Sequence, residues 1–359
     1  MPLPDITALT QTDDGLLARF RDRLREMHLT PKQVEPIVAK TAGVHPLLRR
    51  PLLAYHAREE RGRFARVARA MMFGDPVPRA ELDEALGDVV PELIRAGLLI
   101  EGEAGVVSPF VLIAMGESYL VTDDLAQGGD AVMGLGPATS SLCHAANSGR
   151  PIGTGLDVGC GAGTVALVLA RHAKHVVATD VNARALALTR FNARLNGATN
   201  VEVREGSLLA PVAGERFDVV AAQPPFVPGV PQGSGGVFMS GGRRGDELAL
   251  ELLRDLPSAL TPSGRAVVIA EWGHGPGVAL PSDKVRAALG AAEVDVIVFQ
   301  FDPSSIDIHA AEYAAAFHPT LGPGFTAEVL RRRMHLAELG FEVMAPTLIA
   351  VADCAGRKP

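Results

Sequence analysis

The sequence predicts an α/β fold, in which a mainly helical N-terminal part precedes a parallel sheet that carries helices on both faces. Three observations lead to this prediction. Apolar residues recur at helical spacing before residue 110, whereas short apolar runs alternate with amphipathic segments from Pro151 onward. A glycine-rich segment, residues 159–163, lies between the first apolar run and the first amphipathic segment of that series. Nucleotide-binding α/β folds place a ligand loop at this point.

Length and composition are typical of a soluble globular protein with two domains. The chain has 359 residues, of which 47% are hydrophobic and 21% are charged. Its formal net charge of −7 argues against nucleic-acid binding by the chain as a whole. No apolar run reaches the roughly 20 residues of a membrane span. Polar residues follow the first four positions, so we expect neither a signal peptide nor a membrane contact, and a cytoplasmic location.

The cysteines give no sign of a disulfide framework or a metal site. Cys143, Cys160 and Cys354 lie far apart, and none belongs to a C-x-x-C pair. We therefore expect free thiols and no bound metal ion.

The N-terminal part, residues 1–115, is predicted to be a mainly helical, winged-helix-like accessory domain. The predicted elements are helices over about 16–27, 33–42, 58–72, 78–86 and 90–96, then a hairpin of 98–100 and 106–113. Two short helices followed by a hairpin are the outline of a winged helix. The second helix of that pair carries Arg95 as its only cation, so we expect no binding of duplex DNA. A scaffold that caps the site is the favoured role.

The rest of the chain divides into a connecting segment and the sheet domain. Residues 116–150 are predicted to be a linker that covers the active site, because 122–148 is rich in Gly, Asp, Ala and Ser. The sheet domain occupies residues 151–359. Its seven strands are predicted at about 154–158, 175–179, 200–205, 217–222, 265–271, 294–301 and 342–351. Its helices are predicted at about 162–172, 183–196, 246–260, 308–317 and 326–339.

The first ligand signal is the glycine-rich segment after the first strand, Asp157-Val158-Gly159-Cys160-Gly161-Ala162-Gly163. Glycines allow the backbone to turn tightly and to approach a ligand without Cβ clashes. The helix that follows offers unpaired N–H groups. A dinucleotide fingerprint needs glycine at the position that Thr164 occupies. Asp157, just inside the strand, fits an amine-bearing ligand better than a pyrophosphate.

Two further signals close the next strands of the sheet. Asp180, followed by Val181, ends the second strand at the distance where a carboxylate accepts ribose hydroxyls in dinucleotide folds; the alternative is a helix N-cap, and both roles can hold. The fourth strand is followed directly by Gln223-Pro224-Pro225-Phe226. Two prolines make a rigid extended turn at the sheet edge where open α/β folds bind ligands. The alternative is a stiffened loop, which the order of the three signals disfavours.

These motifs resemble those of class I S-adenosylmethionine-dependent methyltransferases that carry an Asn-Pro-Pro-Tyr/Phe signature. That group includes release-factor glutamine, rRNA guanine and adenine amino methyltransferases. The resemblance covers about Gly134–Trp272, including Gly241-Gly242 and Gly245-Asp246-Glu247-Leu248. The segment 73–124 resembles the accessory domain of a bacterial branch of the group. The resemblance implies a Rossmann-like, seven-stranded methyltransferase domain with S-adenosylmethionine as its cofactor.

The resemblance also assigns roles to individual residues. Asp157 and the loop Gly159, Cys160, Gly161 and Gly163 would hold the methionine part of the cofactor. Asp180 and Val181 would hold the ribose, and Gly206 and Ser207 would border the adenine. Gln223, Pro224 and Phe226 would form the catalytic loop beside the reacting group.

The main departure from the family is Gln223, which stands where the family has asparagine. In the resembling enzymes, the asparagine oxygen and the next proline carbonyl grip a planar NH₂ group. A side chain that is one methylene longer cannot present the same oxygen from the same backbone position. We therefore expect poor turnover of release factors and of nucleobase amines, and a different acceptor.

A hydroxyl acceptor would need a general base. His274 follows the fifth strand at the ligand edge and is the first candidate, against the alternative of an ordinary loop histidine. His309, His318 and Asp246 are weaker candidates. Trp272 is equally consistent with ligand packing and with core filling.

Four functions remain open on the sequence. The leading hypothesis is methyl transfer to nitrogen or oxygen of a small metabolite, as in small-molecule biosynthesis. The second is a protein or rRNA amino-methyltransferase. The third is an enzyme that uses S-adenosylmethionine itself as substrate and releases methylthioadenosine. The fourth is a non-catalytic winged-helix regulator, which the weak recognition helix disfavours.

A run of seven arginines leaves open whether the chain docks an acidic partner. Its members are Arg49, Arg50, Arg58, Arg61, Arg63, Arg66 and Arg69. Such runs are usually solvated helix faces. The functional alternative is a surface that docks an acidic partner, such as a carrier protein or RNA.

Overall fold

The computed structural model describes residues 3–44, 46–124, 130–230, 239–318 and 322–354. It divides into two compact units. The first unit comprises Met1–Gln127, Ala131–Gly134 and Ala187–Thr199. The second comprises Gly128–Asp130, Leu135–Leu186 and Asn200–Pro359. Among the described residues, none of the helices has the length and apolar character needed to cross a membrane.

The first unit is mainly helical. Its helices are α1 (Thr7–Thr10), α2 (Asp14–Glu26), α3 (Pro31–Ala39), α4 (Pro46–Glu59), α5 (Arg63–Val67), α6 (Arg79–Leu86) and α7 (Val90–Arg95). Its strands form two antiparallel hairpins, β1 (Ile100–Gly102) with β2 (Gly105–Val107), and β3 (Val111–Met115) with β4 (Ser118–Thr122). Helix α2 begins where the Asp13 side chain accepts the Leu16 N–H, as an N-cap does. Its apolar stripe, including Phe20 and Leu24, is fully buried.

Two predicted elements of this unit were wrong in their boundaries. A single helix over 58–72 is interrupted, because Gly62 has a φ of +122° that no helix continues. After the break come α5 and a π-helical turn at Ala68–Met72. The predicted hairpin of 98–100 and 106–113 is two hairpins. Pro109 lies between β2 and β3 and has no N–H for a ladder, so β3 pairs with β4 instead.

Two asparagines stabilise the edge of β4 within the first unit. Both belong to α10 (Ala183–Asn196), and this helix is part of the first unit from Ala187 onward. The Asn192 side chain accepts the Val121 N–H and donates to the Val121 carbonyl, each at 2.8 Å. The Asn196 side chain does the same with Tyr119, at 2.9 and 2.7 Å. The four-residue helix spacing thus matches alternate residues of the strand.

The second unit contains the large sheet. Its strands are β5 (Ile152–Val158), β6 (Ala173–Asp180), β7 (Val201–Glu205), β8 (Phe217–Ala222), β9 (Leu260–His274), β10 (Val294–Gln300), β11 (Ser304–Ser305) and β12 (Val343–Asp353). The order is β10-β12-β9-β8-β5-β6-β7, and β11 pairs with β12 outside that path. Strands β5 to β9 run parallel, whereas β12 is antiparallel to both of its neighbours. The predicted methyltransferase-like sheet with its parallel centre is thereby confirmed, while the edge that contains β10, β11 and β12 is antiparallel and adds an eighth, two-residue strand.

Helices cover both faces of this sheet. They are α8 (Pro137–Ala146), α9 (Thr164–Ala170), α11 (Glu247–Asp255), α12 (Pro281–Leu289), α13 (Ile306–Phe317) and α14 (Pro323–Glu338), besides the start of α10. One apolar core includes Leu142 of α8 and Val165 of α9, and the other includes Leu252 of α11 and Val285 of α12. Successive strand residues alternate between these two cores. The two faces are called the α8 face and the α11 face below.

The predicted linker 116–150 was wrong in part, because it contains α8. Pro137 stands in the first turn, where its missing N–H costs nothing. Leu142 and Ala146 are buried on one side of the helix. Arg265 donates to the carbonyls of Ala145 and Ala146, at 2.6 and 2.9 Å, and so satisfies the end of the helix. Helix α8 is therefore part of the sheet unit.

Candidate functional site

The glycine-rich loop connects β5 to α9 by a turn that only glycine adopts readily. Gly159, Gly161 and Gly163 have φ angles of +72°, +53° and +85°. The amides of Gly159 and Cys160 donate to the Thr179 carbonyl of β6, at 2.8 and 2.9 Å. The loop is therefore held to the neighbouring strand, and the spacing of the three glycines has a backbone reason.

Asp157 lies beneath this loop and is 2% exposed. Its Oδ2 accepts the Ala166 N–H of α9 at 2.8 Å. Burial raises the pKa of Asp157 to about 7, and the Asp180 charge adds to this shift although the Ala166 hydrogen bond opposes it. In this structure Asp157 fixes the loop against the first turns of α9. Its contact with the methionine part of a cofactor stays a prediction.

The raised pKa predicts how stability depends on pH. The folded chain keeps a proton on Asp157 up to about pH 7, whereas an unfolded aspartate releases it near pH 4. The contribution to stability is thus fully present below pH 4 and is lost as the pH rises to 7. Across that range, the free energy of unfolding should fall by on the order of 3 kcal/mol more in the wild type than in Asp157→Asn.

Denaturant unfolding at several pH values measures this difference, with the exposed Asp255→Asn variant as control. Parallel pH profiles for the wild type and Asp157→Asn would refute the assignment.

Asp180 ends β6 with both carboxylate oxygens engaged by backbone N–H groups. Its Oδ2 accepts the Gly161 N–H at 3.0 Å, and its Oδ1 accepts the Asn182 N–H at 2.9 Å. The side chain is half-buried, and the neighbouring Val181 is exposed. Each carboxylate oxygen can accept a second hydrogen bond. Asp180 therefore fixes the loop and still offers acceptors to a ligand with paired hydroxyls.

The end of β7 lies beside Asp180. The Gly206 N–H donates to the Asp180 carbonyl at 3.0 Å. Gly206 has a φ of +148°, and a Cβ there would lie 2.5 Å from Cγ of Pro211. Ser207 follows and is exposed. The structure thus brings together the predicted methionine, ribose and adenine residues at the carboxyl ends of three adjacent strands.

The Gln223 loop follows β8 next to the glycine-rich loop. A Cβ on Gly159 would lie 3.7 Å from the Gln223 carbonyl oxygen, so the two loops are neighbours. The Gln223 side chain points to the α8 face, where its Oε1 accepts the Thr139 hydroxyl at 2.9 Å. Pro224 is buried, and no hydrogen bond to its carbonyl occurs in the described part of the chain. The loop therefore presents backbone acceptors, among which the carbonyl of Pro224 belongs to a buried residue, and Thr139 already uses one of the two lone pairs of the Gln223 amide oxygen.

A second glycine segment holds the Gln223 loop in shape. The Val227 N–H donates to Met239, and the Gly241 N–H donates to Val227, at 2.8 and 3.0 Å. A Cβ at Gly245 would lie 2.4 Å from the Phe226 carbonyl oxygen. The contact explains why glycines recur after the proline pair, and it fixes the half-buried Phe226.

The hydrogen bond between Thr139 and Gln223 can be tested by a double-mutant cycle. We expect Thr139→Val and Gln223→Ala to couple by about 1 kcal/mol in the free energy of unfolding, the usual contribution of a hydrogen bond. Denaturant unfolding of both single variants and of the double variant gives the coupling energy. Strictly additive effects would mean that the bond does not form in solution.

His274 is not brought together with Gln223. Along β9, Trp272 packs into the core of the α11 face, and His274 follows on the same face by the alternation of the strand. Lys284 of α12 lies 5.6 Å from the Trp272 ring centroid and pairs with Asp246 at 2.5 Å. Burial, together with the charge of Lys284, lowers the pKa of His274. A catalytic role for His274 stays a prediction that this geometry does not favour.

Sequence reasoning missed a buried acid–histidine pair at the same strand. Glu271 of β9 and His309 of α13 are 6% and 2% exposed, and Nε2 of His309 lies 2.9 Å from Oε2 of Glu271. His309 was only a weak candidate base, and Glu271 had no role. The available signal was a glutamate inside an otherwise apolar strand, which is rare unless the group is paired.

The arginine run of the first unit is used internally. Arg58 and Arg69 both pair with buried Asp75. Four others donate to carbonyls or pair with glutamates: Arg49, Arg50, Arg63 and Arg66. Six of the seven cations thus have intramolecular partners, so the run gives little support to docking of a carrier protein. The described residues contain no group of ligands suited to a metal ion.

Comparison with known proteins shows what part of the second unit is similar to. Residues 135–276 match the family model "Methyltransferase small domain". The chain is 35% identical over 133 residues to the release factor glutamine methyltransferase of Xylella fastidiosa, a match of 34% of this chain and 48% of the relative. It is 33% identical over 149 residues to that of Deinococcus radiodurans, covering 39% and 52%. It is 31% identical over 124 residues to ribosomal RNA small subunit methyltransferase C of Alcanivorax borkumensis, covering 34% of each.

The chain spans about half the length of the release-factor relatives that it matches. The matches confirm the predicted resemblance, the Rossmann-like methyltransferase fold and S-adenosylmethionine as the cofactor. The site suits that cofactor, because a turn built on three positive-φ glycines leaves room for a ligand beside the backbone and Asp180 offers acceptors for ribose hydroxyls.

Proposed function

We propose that the class I S-adenosylmethionine-dependent methyltransferase domain of this chain, residues 135–276, methylates a planar NH₂ group carried by a protein. A glutamine side-chain amide is the leading acceptor. This proposal replaces the small metabolite that the sequence placed first, because the relatives with the matching motif region are named for release-factor glutamine and for ribosomal RNA.

The cofactor would be held by residues at the carboxyl ends of β5, β6 and β7. The carboxylate of Asp180 would accept its ribose hydroxyls, and the loop from Gly159 to Gly163 would border its methionine part. Half-buried Gly206 and exposed Ser207 would border its adenine. When bound, S-adenosylmethionine supplies an activated methyl group, so the protein needs chiefly to orient a nucleophile and exclude water.

The observation that carries the acceptor proposal is the Pro224 carbonyl. It stands on a rigid turn beside the glycine-rich loop, and it has no hydrogen-bond partner among the described residues. A carbonyl of a buried residue that lacks a hydrogen-bond partner favours a ligand that donates N–H. An amide or nucleobase NH₂ group is such a donor, and its two N–H protons can reach two acceptors. A hydroxyl has one proton and can donate to only one acceptor.

Ribosomal RNA is the second candidate, on the match with ribosomal RNA small subunit methyltransferase C. The formal charge of −7 for the whole chain disfavours it relative to a protein acceptor.

Methyl transfer can be followed with trideuteromethyl-labelled cofactor. Release factors, small ribosomal subunits and a metabolite extract, all from cells lacking the gene, are each incubated with the purified protein. Mass mapping should locate the label on a glutamine amide of a release factor, and Asp180→Ala should reduce labelling at limiting cofactor. Label confined to a metabolite would overturn the proposal, as would cofactor consumption without any acceptor. Label on ribosomal RNA would favour the second candidate.

A further inference from the structure

The Glu271–His309 pair lies on the same face and at the same edge of the sheet as Gln223. Ala222, the last residue of β8, pairs with Val268 of β9. Gln223 begins the loop beyond this pair, and Glu271 lies two residues farther along β9 than Ile269, the next position of that strand. Two residues of strand amount to roughly 7 Å, and neighbouring strands are about 5 Å apart. The core of the α8 face contains Ile269, so by alternation Glu271 also points to that face.

His309 orients the Glu271 carboxylate. A carboxylate only accepts hydrogen bonds, so Nε2 of His309 carries the proton that it donates to Oε2 over 2.9 Å. The imidazole is packed beside the Tyr313 ring, with 4.5 Å between centroids. On α14, Arg332 pairs with Glu328 at 2.8 Å, and both are buried. The packed imidazole of His309 therefore fixes the direction in which one carboxylate oxygen of Glu271 points.

The other oxygen of Glu271 is available to a ligand. Its Oε1 makes no hydrogen bond in the described part of the chain. Some fully buried side-chain nitrogens lack a hydrogen-bond partner, for example at Trp272, His274 and His309. No oxygen of Glu271 is in this class. Oε1 therefore keeps contact with solvent although the residue is only 6% exposed. A carboxylate in this setting favours a donor group.

We infer that Glu271 is the acceptor-binding residue that compensates for glutamine at position 223, an inference that rests on the proposed function. In the resembling enzymes an asparagine oxygen takes one proton of the NH₂ group. Here the Thr139 hydroxyl holds the Gln223 side chain and uses one of the two lone pairs of its oxygen. Oε1 of Glu271 takes that N–H instead, and the Pro224 carbonyl takes the other.

The same carboxylate receives the proton that the reaction releases. The acceptor nitrogen forms a bond to the methyl carbon, and the carbon–sulfur bond breaks with its electron pair remaining on sulfur. One N–H proton passes from that nitrogen to Oε1 of Glu271. The nitrogen then ends neutral, with one methyl group in place of one hydrogen.

A binding measurement tests the role of Glu271 in holding the acceptor and does not require catalytic turnover. The protein saturated with S-adenosylhomocysteine is titrated with the peptide Ala-Gln-Ala and with Ala-Glu-Ala, and the affinities are measured by NMR. The wild type should prefer the glutamine peptide at least about 10-fold, because a carboxylate repels the glutamate peptide. Glu271→Gln should bring the preference near unity while S-adenosylhomocysteine affinity changes less than about 2-fold. His309→Asn should lower the preference several-fold, as a positioning residue does.

Glu328→Gln is the matched control, since it removes an equally buried carboxylate from the neighbouring helix. It should alter stability but leave the peptide preference unchanged. A wild type without a preference, or a preference that survives Glu271→Gln, would overturn the inference. Failure to methylate release factors or ribosomal RNA would instead contradict the proposed function and leave this binding result readable.

Discussion

Replacement of Gly161 by valine is expected to weaken S-adenosylmethionine binding by more than about 100-fold while the fold is retained, which corresponds to about 2.7 kcal/mol. Gly161 has a φ of +53°, a conformation that β-branched residues strongly disfavour. Its N–H also donates to Asp180, so a shifted loop would displace the carboxylate that is to hold the ribose.

Calorimetry with S-adenosylmethionine and circular dichroism measure the two halves of this prediction. Gly149→Val is the matched control. Gly149 has a φ of +61°, and a Cβ there meets no atom within 4 Å. The control should carry similar backbone strain and bind the cofactor normally. Normal binding by Gly161→Val would mean that this loop is not the cofactor site.

Asp180→Ala is expected to weaken cofactor binding by about 1.5–3 kcal/mol, since charge-assisted hydrogen bonds to the ribose are lost. The substitution also removes the acceptors of the Gly161 and Asn182 amides, so a lower melting temperature is expected as well. Calorimetry separates the affinity from the stability effect.

Asp218→Ala controls for the lost backbone acceptors. Asp218 lies near the start of β8, at the end of that strand away from the candidate site. It accepts the N–H groups of Gly153 and Thr154, at 2.8 and 3.0 Å. It should lower stability without changing cofactor affinity. Equal affinities for the wild type and Asp180→Ala would refute the ribose assignment.

The parallel sheet and the ligand loops could be predicted because their signals are local. Strand alternation, the loop glycines and the residues that end β6 and β8 all follow from short stretches of sequence. Helix α8 escaped prediction because the surrounding segment is rich in turn-forming residues. Its helical state depends on burial of Leu142 and on the contacts of Arg265, which is far away in the sequence.

The finer geometry of the acceptor site could not be read from the sequence for the same reason. Thr139 and Gln223 are 84 residues apart, and Glu271 and His309 are 38 apart. Nothing local to either member specifies the pairing. The expectation that Gln223 grips an NH₂ group poorly stays a prediction, and the sequence offered no sign of its contact with Thr139.

The most direct test of methyl transfer is the identity of the nucleoside product formed from S-adenosylmethionine. The protein is incubated with cofactor labelled separately in the methyl group and in the methionine chain, with and without release factor, and the products are separated by mass. We predict S-adenosylhomocysteine in an amount equal to the methyl groups on the acceptor, and very little of it without acceptor. Methylthioadenosine formed in the absence of any acceptor would contradict the account, because it would make S-adenosylmethionine itself the substrate.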